Sequence, residues 1–477
     1  MDNTPILYVS HLRKYFDVNK GFGKKGEVKA LDDVTFTLMK GETIGIVGET
    51  GCGKTTLGRT LLRLTQATDG DVYFRLSKEL MNEIIETDKA YNKAMLEYQE
   101  KRLNSEDIKK LSEKMEFFRS KYSITRMKHS ELKKFRRKAQ PVFQDPFSSL
   151  DPRKLIKDII AEPMKTLTDL SREEILDKER SLIEEIGLSE DHLYRFPHEF
   201  SGGQRQRIGI IRAIAIEPDL LVLDEPTSAL DVSVQAQILN ILKDIQEKKQ
   251  ISYVFISHHL HVIRMMADKV AVMYLGKIVE LAETETLFSL MLHPYTQALL
   301  SAIPIPDPDI KREKIELQGD IPNPSNPPTG CYFHTRCPLV MENCGWSPRD
   351  MGESMVNIFN EYENTEVSKL PEISEILLEQ EKMEIRVIFK ETLNEEQFQL
   401  VRDLVKKASE KKNGVRFKSF DEINNDSGGV LIKMKPYDTP VLKEVRNGHY
   451  VSCLIYENGA NQEYQYEETE SNFENSV

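Results

Sequence analysis

The sequence predicts an α/β fold built on buried strands of a mixed sheet, and three features predict it. One is Thr43-Ile44-Gly45-Ile46-Val47, an apolar run that leads into Gly48-Glu49-Thr50-Gly51-Cys52-Gly53-Lys54-Thr55 and then into a helix from about Lys54 through Leu64. Another is Leu220-Leu221-Val222-Leu223, which ends in the carboxylates Asp224-Glu225. Runs this rich in Leu, Ile and Val suit strands covered on both faces, as in a parallel sheet. The last is Ser201-Gly202-Gly203-Gln204-Arg205-Gln206-Arg207, which opens an apolar helix running to about Ile216.

A chain of 477 residues has room for two or three domains with sizeable cores. With 39% hydrophobic and 30% charged residues it reads as soluble and highly charged. The net charge of −12 argues against general nucleic-acid binding. No stretch reaches the roughly 18 apolar residues that span a bilayer. The start, Met1-Asp2-Asn3-Thr4-Pro5, lacks the basic flank and apolar core of a signal peptide. A cytoplasmic protein is expected, with any membrane contact made through a partner. Five cysteines in such a protein favour metal binding or reactivity over disulfides.

Taken in chain order, Ile6-Leu7-Tyr8-Val9 and Val34-Thr35-Phe36-Thr37-Leu38 read as edge strands of an antiparallel subdomain. The segment Gly48–Thr55 fits the phosphate-loop pattern G-x-x-x-x-G-K-[ST]. Its glycines let successive N–H groups turn inward toward phosphate oxygens, and the helix N-terminus adds partial positive charge. Lys54 is placed to reach the β- and γ-phosphates, and the Thr55 hydroxyl to coordinate Mg²⁺. Thr56 follows in the first helical turn.

Residues 77–128 change character, being rich in Lys, Glu and Met. Leu80, Ile84, Ala94, Tyr98, Ile108, Leu111, Met115 and Phe118 recur at helical intervals, and Asn104-Ser105-Glu106-Asp107 suits a cap between two helices. A helical hairpin is expected there, serving as a solvated spacer or as a docking arm. Further on, Ser201 suits an N-cap, and Gly202 and Gly203 expose N–H groups at the helix start, a second anion site or simply a capped loop. Asp224 would hold the Mg²⁺ shell and Glu225 would polarise an attacking water, both at the carboxyl end of a strand.

Together these residues closely resemble the ABC-transporter ATPase family. Ser201-Gly202-Gly203-Gln204 matches its signature motif, with Phe200 where Leu is more usual. Gln144, in Val142-Phe143-Gln144-Asp145-Pro146, matches the Q-loop glutamine, which would sit near Mg²⁺ and report nucleotide state to membrane subunits. Ser228-Ala229-Leu230-Asp231 matches the D-loop. His258 matches the switch histidine, with His259 where Asp is frequent. Phe16 takes the place of the aromatic that stacks on adenine, and Tyr15 is the adjacent alternative. Phe143 through Arg153, and His293-Pro294-Tyr295-Thr296-Gln297-Ala298-Leu299-Leu300, resemble the oligopeptide and dipeptide importer branch.

The resemblance implies an ATP-binding subunit that hydrolyses ATP at a head-to-tail dimer interface. Gly48–Thr55, Thr56, Asp224 and Glu225 form one half-site, and Ser201–Gln204 complete the partner's. Glu225 is the expected general base, assisted by His258 and Gln144, with Thr55, Gln144 and Asp224 around Mg²⁺. Implied partners are a second ABC ATPase, taken to be a different paralogue, two transmembrane permease subunits and an extracytoplasmic solute-binding protein. The chain would sit peripherally on the cytoplasmic face of the membrane. The alternative is a soluble ABC-class ATPase acting on ribosomes or chromosomes.

Cys331, Cys337 and Cys344 follow a proline-rich connector, and Cys453 lies much later. The resemblance suggests a [4Fe–4S] cluster on these four. Structural zinc also suits four thiolates, and free thiols are the remaining reading. Cys52 belongs to the phosphate loop. Between Cys344 and Cys453, Met383–Phe389 and Gly428–Met434 read as strands and Asn394–Lys411 as an amphipathic helix with Phe398, Val401, Leu404 and Val405 on one face.

The expected organisation is an ABC ATPase domain at 1–76 and 129–300, with a helical signature subdomain at about 140–216 and the helical hairpin at 77–128. A small Cys-containing C-terminal domain follows at 301–349 and 437–456. It is interrupted by an α+β module at 350–436 and followed by an acidic disordered tail at 457–477.

Overall fold

Buried apolar strands build the centre of the larger of two units, Met1–Pro327 with Gly448–Tyr450. The computed structural model describes residues 4–19, 25–99, 105–302, 314–361, 370–411, 414–426 and 429–456. The expected tail at 457–477, and Asn104 of the expected cap, lie outside the described residues.

Strands β1 (Pro5–Asn19), β2 (Lys25–Met39) and β4 (Asp69–Phe74) form an antiparallel sheet in the order β2-β1-β4. Ile6–Val9 therefore belongs to a central strand, not the expected edge strand. Residues 5–10 are all buried, so polar–apolar alternation, the mark of a half-exposed strand, is missing. Pairing slips between Val9 and Leu12, where His11 takes a left-handed φ of 49°.

β3 (Thr43–Val47), β5 (Ala139–Val142), β6 (Leu220–Asp224), β7 (Ser252–Ile256), β8 (Lys269–Tyr274) and β9 (Lys277–Glu283) make the second sheet. Its order is β9-β8-β3-β7-β6-β5, parallel except for the β8–β9 hairpin. Every residue of β3 and β7 is buried. Helices α1 (Lys54–Leu61), α8 (Val232–Lys249), α9 (Leu260–Met266), α10 (Thr284–Ser289) and α11 (Pro294–Ser301) alternate with these strands. The short strand His449–Val451 lies beside β9.

Helices α4 (His129–Lys138), α5 (Ile156–Leu167), α6 (Arg172–Glu185) and α7 (Gly202–Ile214) form the helical part. Gln140 lies in β5, so the helical stretch begins later than its sequence suggests. β5 is the last strand of the sheet order, which tolerates Pro141 because an edge N–H needs no ladder partner.

Helices α2 (Lys78–Gln99) and α3 (Ser105–Tyr122) bury Met81, Ile84, Met115 and Phe118 against Tyr8 and Tyr73. Tyr98, expected on the apolar stripe, is 48% exposed. A polar anchor supplements this packing: Asp88 accepts from the Tyr8 and Ser10 hydroxyls, and Asn92 bonds His11 Nε2 at 2.7 Å.

The second unit comprises Pro328–Asn447 with Val451–Val477. Its antiparallel sheet runs β10-β11-β13-β12, from β10 (Ile373–Glu379), β11 (Glu384–Phe389), β12 (Phe420–Asp426) and β13 (Gly429–Met434). α12 (Pro348–Glu361) and α13 (Glu395–Glu410) contribute Met351, Met355, Phe398, Val401 and Leu404 to its core. Asn394 caps α13 reciprocally with Gln397. β10 and β12 escape sequence reading because they are outer strands with mostly half-exposed or exposed residues.

Candidate functional site

Strand β3 ends at Val47, and the next residue begins a tight loop that only glycine can follow. Gly48 has φ +151°, and a Cβ there would meet the Met273 carbonyl oxygen at 2.2 Å. Gly53, φ +109°, leaves no more room, with the Ala30 carbonyl oxygen at the same 2.2 Å. Gly53 is also the N-cap of α1 and offers no side chain to its N-terminus, so the first N–H groups stay available for an anion. Lys54 is buried, and its ammonium donates to the carbonyls of Gly48 at 2.8 Å and Glu49 at 3.1 Å. The lysine thus folds back over the loop, at the place where phosphate oxygens would otherwise accept its protons. Cys52 is buried beside it; burial pushes its thiol pKa up.

Two strands away, β6 delivers Asp224 and Glu225. The Thr55 hydroxyl donates to Asp224 Oδ1 at 3.1 Å. Burial raises the Asp224 pKa, and the charge of Glu225 raises it further, against the Thr55 hydrogen bond. A hydroxyl and a carboxylate at the carboxyl end of the sheet are the hard oxygen donors that Mg²⁺ takes.

Glu225 follows the strand in a left-handed conformation, φ 47°, which is costly for a side chain of this type. Its backbone N–H is held by the Ile256 carbonyl at 2.9 Å. The turn aims its carboxylate at two other loops. Gln144 Nε2 donates to Oε2 at 3.1 Å, and His258 Nδ1 stands 3.1 Å from the same oxygen. Residues from the ends of β5, β6 and β7 therefore meet on one carboxylate oxygen, far apart as they are in sequence. The neighbouring His259 caps α9, and burial, with His258 and His261 nearby, lowers its pKa.

Phe16 is 40% exposed and carries Lys14 over its ring at 4.6 Å. Tyr15 is occupied differently: its hydroxyl bonds Asp32, which with burial drives its pKa up. Of the two aromatics, Phe16 is the exposed one.

The signature segment sits elsewhere. Ser201 Oγ accepts the Gln204 N–H at 3.4 Å while Gln204 Oε1 accepts the Ser201 N–H at 3.0 Å, a closed capping box at the start of α7. Arg205 lies over the Phe147 ring at 4.3 Å, and Gln206 Nε2 reaches the Phe143 carbonyl at 3.5 Å. Among the described residues no hydrogen bond or ion pair joins Ser201–Gln204 to Gly48–Thr55. Asp231 caps α8 through Val234 N–H at 3.0 Å and the Ser233 hydroxyl at 2.7 Å.

In the second unit Cys344 and Cys453 are buried, and Cys331 and Cys337 are partly buried. Cys331 N–H donates to the Cys344 carbonyl at 2.8 Å, and Met341 N–H to Cys344 Sγ at 3.3 Å. Burial drives the Cys337 thiol pKa up, and proximity to Cys331, Cys453 and Cys344 drives it further. The four sulfurs thus share one neighbourhood, Cys453 included despite the intervening α+β module. Among the described residues, however, no three His, Cys, Asp or Glu stand in a metal-holding arrangement.

Sequence reasoning missed Tyr295 as part of this site. Its hydroxyl accepts the Glu49 N–H of the phosphate loop at 2.9 Å. The only signal was the His-Pro-Tyr run that marks the start of α11.

Comparison with known proteins identifies the family. Residues 31–228 match the family model described as "ABC transporter", and residues 279–344 match "Oligopeptide/dipeptide transporter, C-terminal region". The chain is 45% identical over 359 residues to the putative oligopeptide transport ATP-binding protein YkfD of Bacillus subtilis (strain 168), covering 74% of this chain and 93% of the relative. It is 44% identical over 345 residues to the dipeptide transport ATP-binding protein DppF of Haemophilus influenzae, covering 72% and 91%. Among solved structures, a dimeric post-hydrolysis ATP-binding cassette, MJ0796 bound to ADP and Pi, aligns at 22% identity with a TM-score of 0.45, over 58% of this chain and 99% of that one.

Proposed function

The chain belongs to the ABC-transporter ATPase family, within its oligopeptide and dipeptide transport branch, and from that premise we propose that it is the subunit that powers peptide import by hydrolysing ATP. The observation that carries the reading is the meeting of Gln144 and His258 on Glu225 Oε2, next to the Thr55–Asp224 pair.

Each residue has a role that its position supports. The loop Gly48–Thr55 and Thr56 cradle the phosphates, and Lys54 leaves its carbonyl partners for the β- and γ-oxygens. Thr55, Asp224 and Gln144 are the residues to hold Mg²⁺, which when bound neutralises charge on those phosphates. Glu225 takes the proton of the attacking water, while His258 and Gln144 fix its carboxylate in line. Phe16 covers the adenine. Ser201, Gly202, Gly203 and Gln204 act on the nucleotide of a partner ATPase, since within the chain α7 is tied to the loop after β5. The partners are a second, non-identical ABC ATPase, two permease subunits and a solute-binding protein. No helix among the described residues is long and apolar enough to cross a membrane, which fits a peripheral subunit on the cytoplasmic face.

A general base contributes roughly 10²–10⁴-fold. Glu225→Gln, assayed with its partner subunits, is expected to bind ATP and lose turnover by that factor. Retained rapid hydrolysis would refute the assignment.

For the late cysteines we propose a shared metal group, a [4Fe–4S] cluster ahead of zinc, on Cys331, Cys337, Cys344 and Cys453. The support is the proximity of Cys331, Cys344 and Cys453 to Cys337, together with the raised thiol pKa of Cys337 and Cys344, which a cation would reverse. When bound, such a group supplies a covalent staple. Anaerobic purification with iron, sulfide and zinc analysis decides: protein without any of them rejects the proposal.

A further inference from the structure

A buried polar path leads from the phosphate loop to β9 and the short strand beside it. Tyr295 lies at its head, fully buried, with its ring 4.8 Å from that of Tyr274 and its hydroxyl accepting the Glu49 N–H. Glu49 sits in the first limb of the loop, where Lys54 also holds its carbonyl. The other limb is braced separately, by Gly276 N–H on the Cys52 carbonyl at 2.8 Å. Each limb of the loop is thus held by a segment late in the chain.

Behind Tyr295 the path continues. Its backbone N–H donates to His293 Nδ1 at 3.1 Å, so this imidazole carries its proton on Nε2. Burial lowers the His293 pKa to about 4, which keeps the ring neutral. The Glu280 carboxylate accepts the N–H groups of Leu292 at 2.8 Å and His293 at 3.0 Å. Its Oε1 also meets His449 Nε2 at 2.7 Å. Glu280 and His449 have no exposed surface at all. A carboxylate in such a place needs every one of its donors. Here those donors set the turn from which α11, and with it Tyr295, departs.

We propose that Tyr295 is a positioning residue for the phosphate loop, held in register by the Glu280–His449 pair, so that the seating of His449 beside β9 tunes nucleotide affinity. The proposal rests on the reading of Gly48–Thr55 as a nucleotide site.

The test is titration of the full chain with a fluorescent ADP analogue, with thermal melting in the absence of nucleotide. Tyr295→Phe keeps the ring and removes the acceptor, and is expected to weaken binding about tenfold, the scale of one lost neutral hydrogen bond, at a nearly unchanged nucleotide-free melting temperature. His449→Ala is expected to weaken it about threefold, an order-of-magnitude figure for a partner one step removed, and His449→Gln, which keeps an N–H donor, to restore most of the loss. Because both act through one path, Tyr295→Phe with His449→Ala should bind no more weakly than Tyr295→Phe alone. Wild-type affinity in Tyr295→Phe, failure of that variant to fold, or losses that multiply in the double variant would each overturn the proposal. Wild-type protein that bound no analogue, or a Lys54→Ala variant that bound it fully, would instead sink the nucleotide reading itself.

Discussion

Asp224 carries the sharpest conflict between stability and function in the molecule. Burial raises its pKa above the usual carboxylate range, and the charge of Glu225 adds to the rise against the Thr55 hydrogen bond. A carboxyl with a raised folded pKa binds its proton more tightly in the native state than in the unfolded chain. Stability is therefore fully present below the unfolded pKa and is lost as pH rises through the folded pKa. Once the carboxyl ionises, the nucleotide-free protein bears this cost. Asp224→Asn keeps an acceptor for the Thr55 hydroxyl and removes the charge. It is expected to melt higher than wild type at pH 7 without nucleotide, to lose the decline that accompanies rising pH, and to gain little from added Mg²⁺ and ATP. Melting curves across pH, with and without Mg-ATP, check all three; a variant less stable than wild type at pH 7 would show that the charge is already compensated. The phosphate loop, Asp224, Glu225 and His258 were legible in the sequence because each function needs a residue type at a fixed offset from a strand end. Tyr295 was not legible, since its partner lies 246 positions away and nothing local marks it. Asp32, which ties up Tyr15, was hidden for the same reason.

At the scale of elements, the start of α7 is held by packing as much as by its capping box. Gly203 is buried, and a Cβ on it would stand 2.4 Å from Val234 Cγ1 on α8. Val234 is β-branched and stiff at χ1, so it cannot swing aside freely. Gly203→Ala should therefore push the two helix starts apart and cost about 1–3 kcal/mol, the usual penalty for overpacking. Val234→Ala is expected to have little effect alone and to recover most of the loss in the double variant, as read by denaturant unfolding. A double variant no more stable than Gly203→Ala would mean that the glycine is needed for its backbone and not for space. The sequence marked this glycine as an anion-binding N–H, and its second duty, close helix approach, is visible only once α8 is in place. The same division holds across the elements. β3, β6, α7 and α13 are legible because periodicity or a cap states them outright. β10 and β12 are hidden because strands at the rim of a sheet have no continuous apolar face, and the centrality of β1 is fixed by the pairing of β4 on its second edge.

For the molecule as a whole, the proposed reading gives one chain two half-sites, and among the described residues no hydrogen bond or ion pair joins one to the other. The phosphate loop with Glu225 forms one, and the capping box of α7, saturated by its own Ser201 and Gln204, is the other. Phosphoryl transfer depends on positioning and charge stabilisation, so a half-site alone offers little catalysis. Turnover should therefore depend on association. With the isolated chain, specific activity is expected to be low and to rise with protein concentration; adding the partner ATPase should raise it to a plateau at equal stoichiometry. Glu225→Gln chain added to that mixture should then depress turnover by competing for partner, and more strongly when mixed before ATP than after, because nucleotide holds a closed pair together. An activity strictly proportional to the wild-type chain, indifferent to the variant at any excess, would place the complete catalytic apparatus within one polypeptide. The capping box would then be no more than a helix start, and the separation of the two anion sites would carry no functional meaning.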